Sequence, residues 1–273
     1  MSSQERNSIN ENEIKSSWPK LDSMTRGLIR GNLILVASRP SIGKTSFALS
    51  IICRSFIPKK MRVVLFSLEM AKEDLSKRML SMLSSVDLER LSAAELKEHH
   101  WTDLQNAAAI LSKSEIFIDD TAPLSPSQIS ERCHEIEKKN GKIDLVVVDY
   151  LQLLTVEEKS ISAPREAILY EISRKIKKTA KDLDCPIVLL CQLSRKVEKI
   201  SARDLNLSDL REQGPIEQNA DVVIFLTRSR EEIAEHSFGK IKLIVAKSRA
   251  GDCGPIELNI KASKAGLFFG DEV

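Results

Sequence analysis

Short apolar runs alternate with longer stretches of helical period along most of the chain. The runs at 32–37, 62–67, 116–118, 145–149, 187–191 and 222–226 are rich in Val, Ile and Leu and show no polar alternation. Strands covered on both faces read this way, because neither side is left to water. Between them, residues 43–56, 73–83, 128–140 and 165–183 read as helices, and 88–113 as a helical segment inserted between the second and third strands. Strands and helices in alternation predict an α/β fold with a mostly parallel central sheet flanked by helices. Two later runs, 240–246 and 255–260, flank the turn Arg249-Ala250-Gly251-Asp252 and predict a C-terminal antiparallel hairpin. Polar stretches at 155–164, 195–207 and 228–239 are expected to be mobile loops. Residues 1–17 are expected to be a flexible tail, ahead of a single domain over 18–273.

Composition changes this picture little. A chain of 273 residues with 42% hydrophobic and 29% charged positions is an ordinary globular one. The formal charge of +2 points to no partner, so a nucleic-acid site has to be a local basic surface. The cysteines Cys53, Cys133, Cys185, Cys191 and Cys253 are scattered and form no C-x-x-C pair. Neither a disulfide framework nor a zinc site is suggested, and reduced thiols in a cytoplasmic protein are expected. The first 20 residues lack the apolar run of a signal peptide. No apolar stretch reaches the roughly 18 residues of a membrane span, so no membrane partner is expected.

The candidate chemistry begins where the first buried strand runs into a helix. There the chain reads Ser38-Arg39-Pro40-Ser41-Ile42-Gly43-Lys44-Thr45, followed by Ser46. A loop so placed aims backbone N–H groups and the positive end of a helix at a phosphate chain. Lys44 is then expected to reach the β- and γ-phosphates, and Thr45 to ligate Mg²⁺. The strict phosphate-loop pattern has Gly where Ser38 stands. A second element, Leu145-Val146-Val147-Val148-Asp149, is an apolar strand ending in a carboxylate that can support the metal. A third, Ser67-Leu68-Glu69-Met70, places Glu69 at a strand end, where it can orient and polarise an attacking water.

Taken together, these segments resemble the DnaB family, the RecA-like motor domains of hexameric replicative helicases. The resemblance rests on Arg39 to Thr45, Phe66-Ser67-Leu68-Glu69-Met70, Asp149-Tyr150-Leu151-Gln152-Leu153 and Gln192-Leu193-Ser194-Arg195. It continues through Leu207-Ser208-Asp209-Leu210-Arg211-Glu212 and Ile216-Glu217-Gln218-Asn219-Ala220-Asp221, in family order and spacing. It implies ATP and Mg²⁺ at Ser38 to Ser46 and Asp149, Glu69 as catalytic glutamate, and Gln192 as γ-phosphate sensor. Arg211, Glu212 and Gly214 fall where the family's central-channel loop grips one DNA strand. A cation beside a glycine suits contact with the sugar-phosphate backbone, and no aromatic is there for base stacking. Lys247 and Arg249 resemble the basic pair that reaches into the next subunit's ATP site. The resemblance thus implies single-stranded DNA, a homo-oligomeric ring and other replication proteins as partners. His99, His100, Trp101 and His134 show no ligand spacing and are read as structural. Family members carry a helical N-terminal domain, which is expected to be absent here, with residues 10–17 at most a linker remnant. Two other readings share the core: a recombination or repair ATPase of the RecA or circadian-clock type, and an accessory protein that joins another helicase's ring.

Overall fold

The computed structural model describes residues 13–93, 95–155, 163–193, 205–228, 238–263 and 266–273. The three expected loops, and residues 1–12 of the expected tail, fall largely outside them. The chain opens with β1 (Glu13–Ile14), α1 (Pro19–Thr25) and β2 (Leu28–Ile29). β1 pairs antiparallel with β2, Glu13 opposite Ile29 and Ile14 opposite Leu28, within the stretch expected to be a tail. Asp22 fixes that entry by accepting the Ser16 backbone N–H at 2.8 Å. Trp18, fully buried, donates its indole N–H to the Gly270 carbonyl.

β3 (Leu33–Ser38) leads into α2 (Lys44–Ile51), which continues as a π-turn over Ile52–Phe56. Then come β4 (Val63–Ser67), α3 (Lys72–Ser84), α4 (Leu88–Ala93), α5 (Glu98–Ser112) and β5 (Ile116–Asp119). The inserted helical segment is therefore two helices. α6 (Pro126–Asn140) starts two residues earlier than its pattern suggested. Ser125 accepts the Gln128 N–H while Gln128 returns a bond to Ser125, and Pro126 occupies the first position, where a missing donor costs nothing. β6 (Leu145–Asp149), α7 (Arg165–Asp182), β7 (Ile187–Gln192) and β8 (Val222–Thr227) complete the α/β part.

Past β8 the expected hairpin is a three-stranded antiparallel unit: β9 (Phe238–Ser248), β10 (Gly254–Ser263) and β11 (Gly266–Glu272). The apolar pattern missed β11 because its run is short and bracketed by glycines. In the fold it packs on the helix after β3: Phe269 meets Phe47 edge-on at 5.3 Å, and Phe47 stacks on Trp18 at 5.3 Å. Gly251 in the β9–β10 turn lies so close to α1 that a Cβ would come within 2.2 Å of the Met24 carbonyl.

All strands from β3 on form one sheet in the order β11-β10-β9-β8-β3-β7-β6-β4-β5. β8, β3, β7, β6, β4 and β5 run parallel, and β9 to β11 antiparallel. Alternate residues of each strand feed two cores. Ile34 and Val36 join Phe47, Leu49 and Leu75 on the side of α2 and α3. Leu33, Leu35 and Ala37 join Ile129, Ile172 and Ile176 on the side of α6 and α7. Cover on both faces is what the uninterrupted apolar runs required. Because the parallel strands share a direction, their C-terminal ends lie on one edge of the sheet. That edge carries the site.

Candidate nucleotide site

β3 lies between β7 and β8, inside the sheet. Where it ends, two residues of left-handed backbone, Ser41 (φ 61°) and Gly43 (φ 106°), turn the chain into α2. α2 begins at Lys44 with no side chain capping its first turn. The positive end of the helix therefore faces the loop without a side-chain cap in between. Ser38, in the place of the pattern's glycine, is fully buried; its hydroxyl donates to the Arg39 carbonyl at 2.7 Å and lies 3.5 Å from Lys44 Nζ. Lys44 is itself buried. Burial holds its pKa below the ordinary value, against the opposing pull of Asp149, Cys191 and Glu69. A phosphate chain would supply the counter-charge that burial denies it.

Thr45 Oγ1 donates to Asp149 Oδ2 at 2.6 Å, linking the start of α2 to the end of β6 across the intervening β7. Asp149 is 1% exposed, and its second oxygen, Oδ1, has no hydrogen-bond partner. Burial raises its pKa and Glu69 adds to the rise, while Thr45, Lys44 and Arg78 oppose it. A buried carboxylate with one oxygen unsatisfied, beside a hydroxyl, is a hard-oxygen donor pair of the kind Mg²⁺ takes. The residues present thus fit the expected ion.

Glu69 stands on the turn after β4. Ser67 Oγ donates to the Met70 carbonyl at 2.7 Å and accepts its N–H at 3.2 Å, closing the turn. The Leu68 N–H donates to the Asp149 carbonyl at 2.7 Å, so the turn is tied to the end of β6. Glu69 is exposed beyond this anchor, and its charge is felt by both Lys44 and Asp149. Gln192 ends β7 in register with Ser38, and the next N–H, of Leu193, donates to the Ser38 carbonyl. The fold therefore brings Ser38 to Ser46, Glu69, Asp149 and Gln192 to one edge.

Two further residues at this edge escaped sequence reasoning. Gln152 holds the backbone of Gln192 from both sides, donating from Nε2 to its carbonyl at 2.8 Å and accepting its N–H at 3.2 Å. An amide three residues beyond Asp149 was visible, but not what it would face. Arg78 is a half-buried guanidinium on α3; burial lowers its pKa, while Asp74, Asp149 and Glu69 raise it. It places a cation of the same chain near both site carboxylates. Nothing in the polar pattern of α3 distinguished it from a solvated arginine.

Lys247 and Arg249 are not in this assembly. β9 runs antiparallel to β8, and its Lys247 and Ser248 pair with Val223 and Val222, at the start of β8. Val222 is level with Ile34, whereas Ser38 is level with Leu226. About 13 Å of strand separates those levels, so the basic pair lies toward the opposite edge. Arg211 and Glu212 fall in a 3₁₀ turn over Leu207–Gln213, and their side chains lie outside the described residues. Gly214 follows with φ +81°, and a Cβ there would come within 2.4 Å of the Glu166 carbonyl on α7.

The strand–loop–helix turn at Ser38 to Lys44, the Thr45–Asp149 pair and Glu69 beside them, on a mostly parallel sheet, are the features of a P-loop fold with a RecA-like core. Residues 13–267 match the family described as DnaB-like helicase C terminal domain, and the chain belongs to that family. It is 39% identical over 249 residues to the replicative DNA helicase DnaB of Buchnera aphidicola subsp. Baizongia pistaciae, covering 90% of this chain and 53% of that protein. Over 246 residues it is 39% identical to the replicative DNA helicase DnaC of Bacillus subtilis, covering 90% and 54%. The chain spans about half the length of these curated relatives. Among solved structures, a DnaB-like replicative helicase described with its interactions with primase superposes with a TM-score of 0.86 at 35% identity, covering 95% of this chain and 62% of that one. The ATPase domain of G40P gives 0.83 at 36% identity, covering 91% and 89%. Among the described residues no helix is long and apolar enough to cross a membrane.

Proposed function

We propose that this chain is the ATP-hydrolysing motor of a DnaB-type replicative helicase, acting in a hexameric ring that moves along single-stranded DNA in the cytoplasm. The observation that carries the reading is the Thr45–Asp149 bond with Asp149 Oδ1 left unsatisfied, next to buried Lys44 at an uncapped helix start. On this reading residues Ser38 to Ser46 wrap the triphosphate, and Lys44 pairs with its outer phosphates. Mg²⁺ held by Thr45 and Asp149 neutralises charge on the phosphate oxygens when bound. Glu69 orients a water and takes its proton, and its exposed position on an anchored turn suits that work. Gln192, beside Ser38, hydrogen-bonds the end of the phosphate chain and passes its state to the loop that follows β7.

Lys247 and Arg249 serve the phosphate site of the next copy. Their position away from their own site supports this role, since a cation supplied in trans stabilises transition-state charge. Arg211, Glu212 and Gly214 hold the DNA backbone. Other replication proteins, primase among them, are partners by analogy with the solved relative described with primase. The test measures ATP hydrolysis with and without single-stranded DNA, unwinding of a forked duplex, and mass in solution. DNA-stimulated hydrolysis with unwinding by six-chain assemblies is the expected outcome. DNA pairing by filaments would instead favour the recombination type, and entry into another helicase's ring without unwinding the accessory role.

A further inference from the structure

The segment Ile216 to Asp221 stood out in the sequence but has no part in the nucleotide site. It follows the loop of Arg211 and Glu212, and from Gly214 to Asp221 the chain lies along one face of α7. Gly214 abuts the Glu166 carbonyl. Asn219 Nδ2 donates to the Tyr170 carbonyl at 3.3 Å and to Ser173 Oγ at 2.9 Å. Lys177 Nζ donates to Asp221 Oδ2 and, at 2.8 Å, to the Gly31 carbonyl. Glu166, Tyr170, Ser173 and Lys177 follow one another along a single helix face. α7 begins after β6 has ended and reaches Lys177 beside Gly31, just ahead of β3. Between those contacts the helix rises roughly 16 Å. The segment thus runs from the edge with the phosphate site to the opposite edge.

At that far edge it meets the basic pair. Lys247 Nζ donates to the carbonyls of Glu217 and Ala220, both at 2.6 Å. Arg249 donates from a terminal nitrogen to the Gln218 carbonyl at 3.0 Å and from its backbone N–H to the Asp221 carbonyl at 3.0 Å. Its Nε lies 3.7 Å from Asp221 Oδ1. Asp221 is buried and held in turn by the Leu33 N–H at 2.8 Å. The register of β9 against β8 also shifts between Val223 and Ile224, beside Lys247. Such an irregularity re-aims the side chains next to it. Three carbonyls of one short segment, those of Glu217, Gln218 and Ala220, therefore hold both cations.

We propose that residues 214–221 are the positioning element of the basic pair, anchored on α7 by Asn219, and that they carry displacement of the DNA loop to Lys247 and Arg249. The proposal rests on the reading that this pair serves the next copy's phosphate site. DNA drawn against the loop shifts the segment along α7, and the carbonyls take the two cations with them. Binding of the strand is thereby reported at the far edge, where the neighbour's phosphates would lie.

Asn219→Ala removes both side-chain bonds to α7 and leaves the phosphate site and the basic pair intact. With saturating single-stranded DNA, its turnover is expected to fall about fivefold, the equivalent of one net hydrogen bond, at unchanged KM for ATP. Mixing with Lys44→Ala chains restores part of the loss, because those chains offer a well-placed basic pair to Asn219→Ala phosphate sites. A defect that merely loosened the fold would not be restored this way. Ser173→Ala removes one acceptor from the α7 side and gives the same pattern at smaller amplitude; it decides the matter should Asn219→Ala not fold. Undiminished turnover in the folded variants overturns the proposal. So does a loss that mixing fails to restore where Arg249→Ala and Lys44→Ala do restore each other. If that last pair fails although its subunits exchange, the reading in trans falls first and takes this proposal with it.

Discussion

Glu69→Gln separates water activation from everything else the site does. Glu69 is exposed and makes no hydrogen bond or ion pair with the described residues, so the fold has little to lose. A surface change of that kind stays within about 0.5 kcal/mol of the parent's stability. The amide keeps the shape of the side chain but cannot take a proton. Loss of a general base costs about 10²- to 10⁴-fold, or roughly 3–5 kcal/mol of transition-state stabilisation. Binding should move the other way. Asp149 has its pKa raised first by burial and then by the charge of Glu69. With that charge gone, Asp149 ionises more readily, and the ionised form is the one that serves a cation. Mg²⁺-ATP should therefore bind as tightly as before or more tightly, with the low-pH limit of binding moved to lower pH. The assay pairs a fluorescent-nucleotide titration with single-turnover hydrolysis. A tenfold loss of affinity would recast Glu69 as a binding residue. Hydrolysis within about threefold of the parent, well short of what a lost base costs, would leave the catalytic role without a candidate.

Arg211→Ala should weaken single-stranded DNA binding about equally across sequences and reduce the salt slope by about 0.7, the share of one phosphate contact; a change of sequence preference at constant slope would refute the backbone grip. Gln152→Ala should lower the DNA stimulation of ATP hydrolysis while leaving KM for ATP unchanged, since it frees the Gln192 backbone and not the phosphate loop; equal stimulation in both proteins would make Gln152 a purely structural clamp. Burial pushes the thiols of Cys53, Cys133 and Cys191 up to about 12. Between an unfolded value near 9.0 and that folded value the native chain holds more protons, so stability falls as pH rises through the window, by up to about 1.4 kcal/mol per pH unit and thiol. Cys133→Val should flatten that decline in denaturant melts at pH 10 relative to pH 8, and an unchanged slope would sink the assignment.

What the sequence disclosed follows from the range of the forces involved. The buried parallel strands were legible because two apolar faces leave an unbroken apolar run, and their ends came out within a residue of the structure. The gathering of the candidate site was legible because each part sits where a strand stops: Ser38, Ser67, Asp149 and Gln192 are all strand ends. Elements set by long-range contacts were not legible. β1 is two residues whose pairing depends on β2, and β11 is placed by Phe47 and the neighbouring strand rather than by its own pattern. Gln152 and Arg78 are polar residues in polar surroundings until the chain folds them against Gln192 and Asp149. The same holds for Asn219, whose partners lie 49 and 46 residues away on α7.

The two edges of the sheet set a condition on catalysis that composition could not reveal. The phosphate loop, Asp149, Glu69 and Gln192 stand where the parallel strands end, and the basic pair stands near where they begin. Strand register separates the two levels by about 13 Å before side chains are counted. Lys247 reaches no farther than the carbonyls of Glu217 and Ala220, two residues it already bonds. On the proposed reading one copy therefore offers the first half of a site and the next copy the second. A contact of that kind is head-to-tail, and head-to-tail contacts close into a ring when their rotation divides a full turn and otherwise grow as a helix. Closure gives every phosphate site a neighbour's cations and leaves none incomplete. It also makes the line from DNA loop to basic pair pass through one subunit and end in the next. On that reading a signal that starts with the strand in one copy acts on the nucleotide held by its neighbour, and a closed ring has no copy without one.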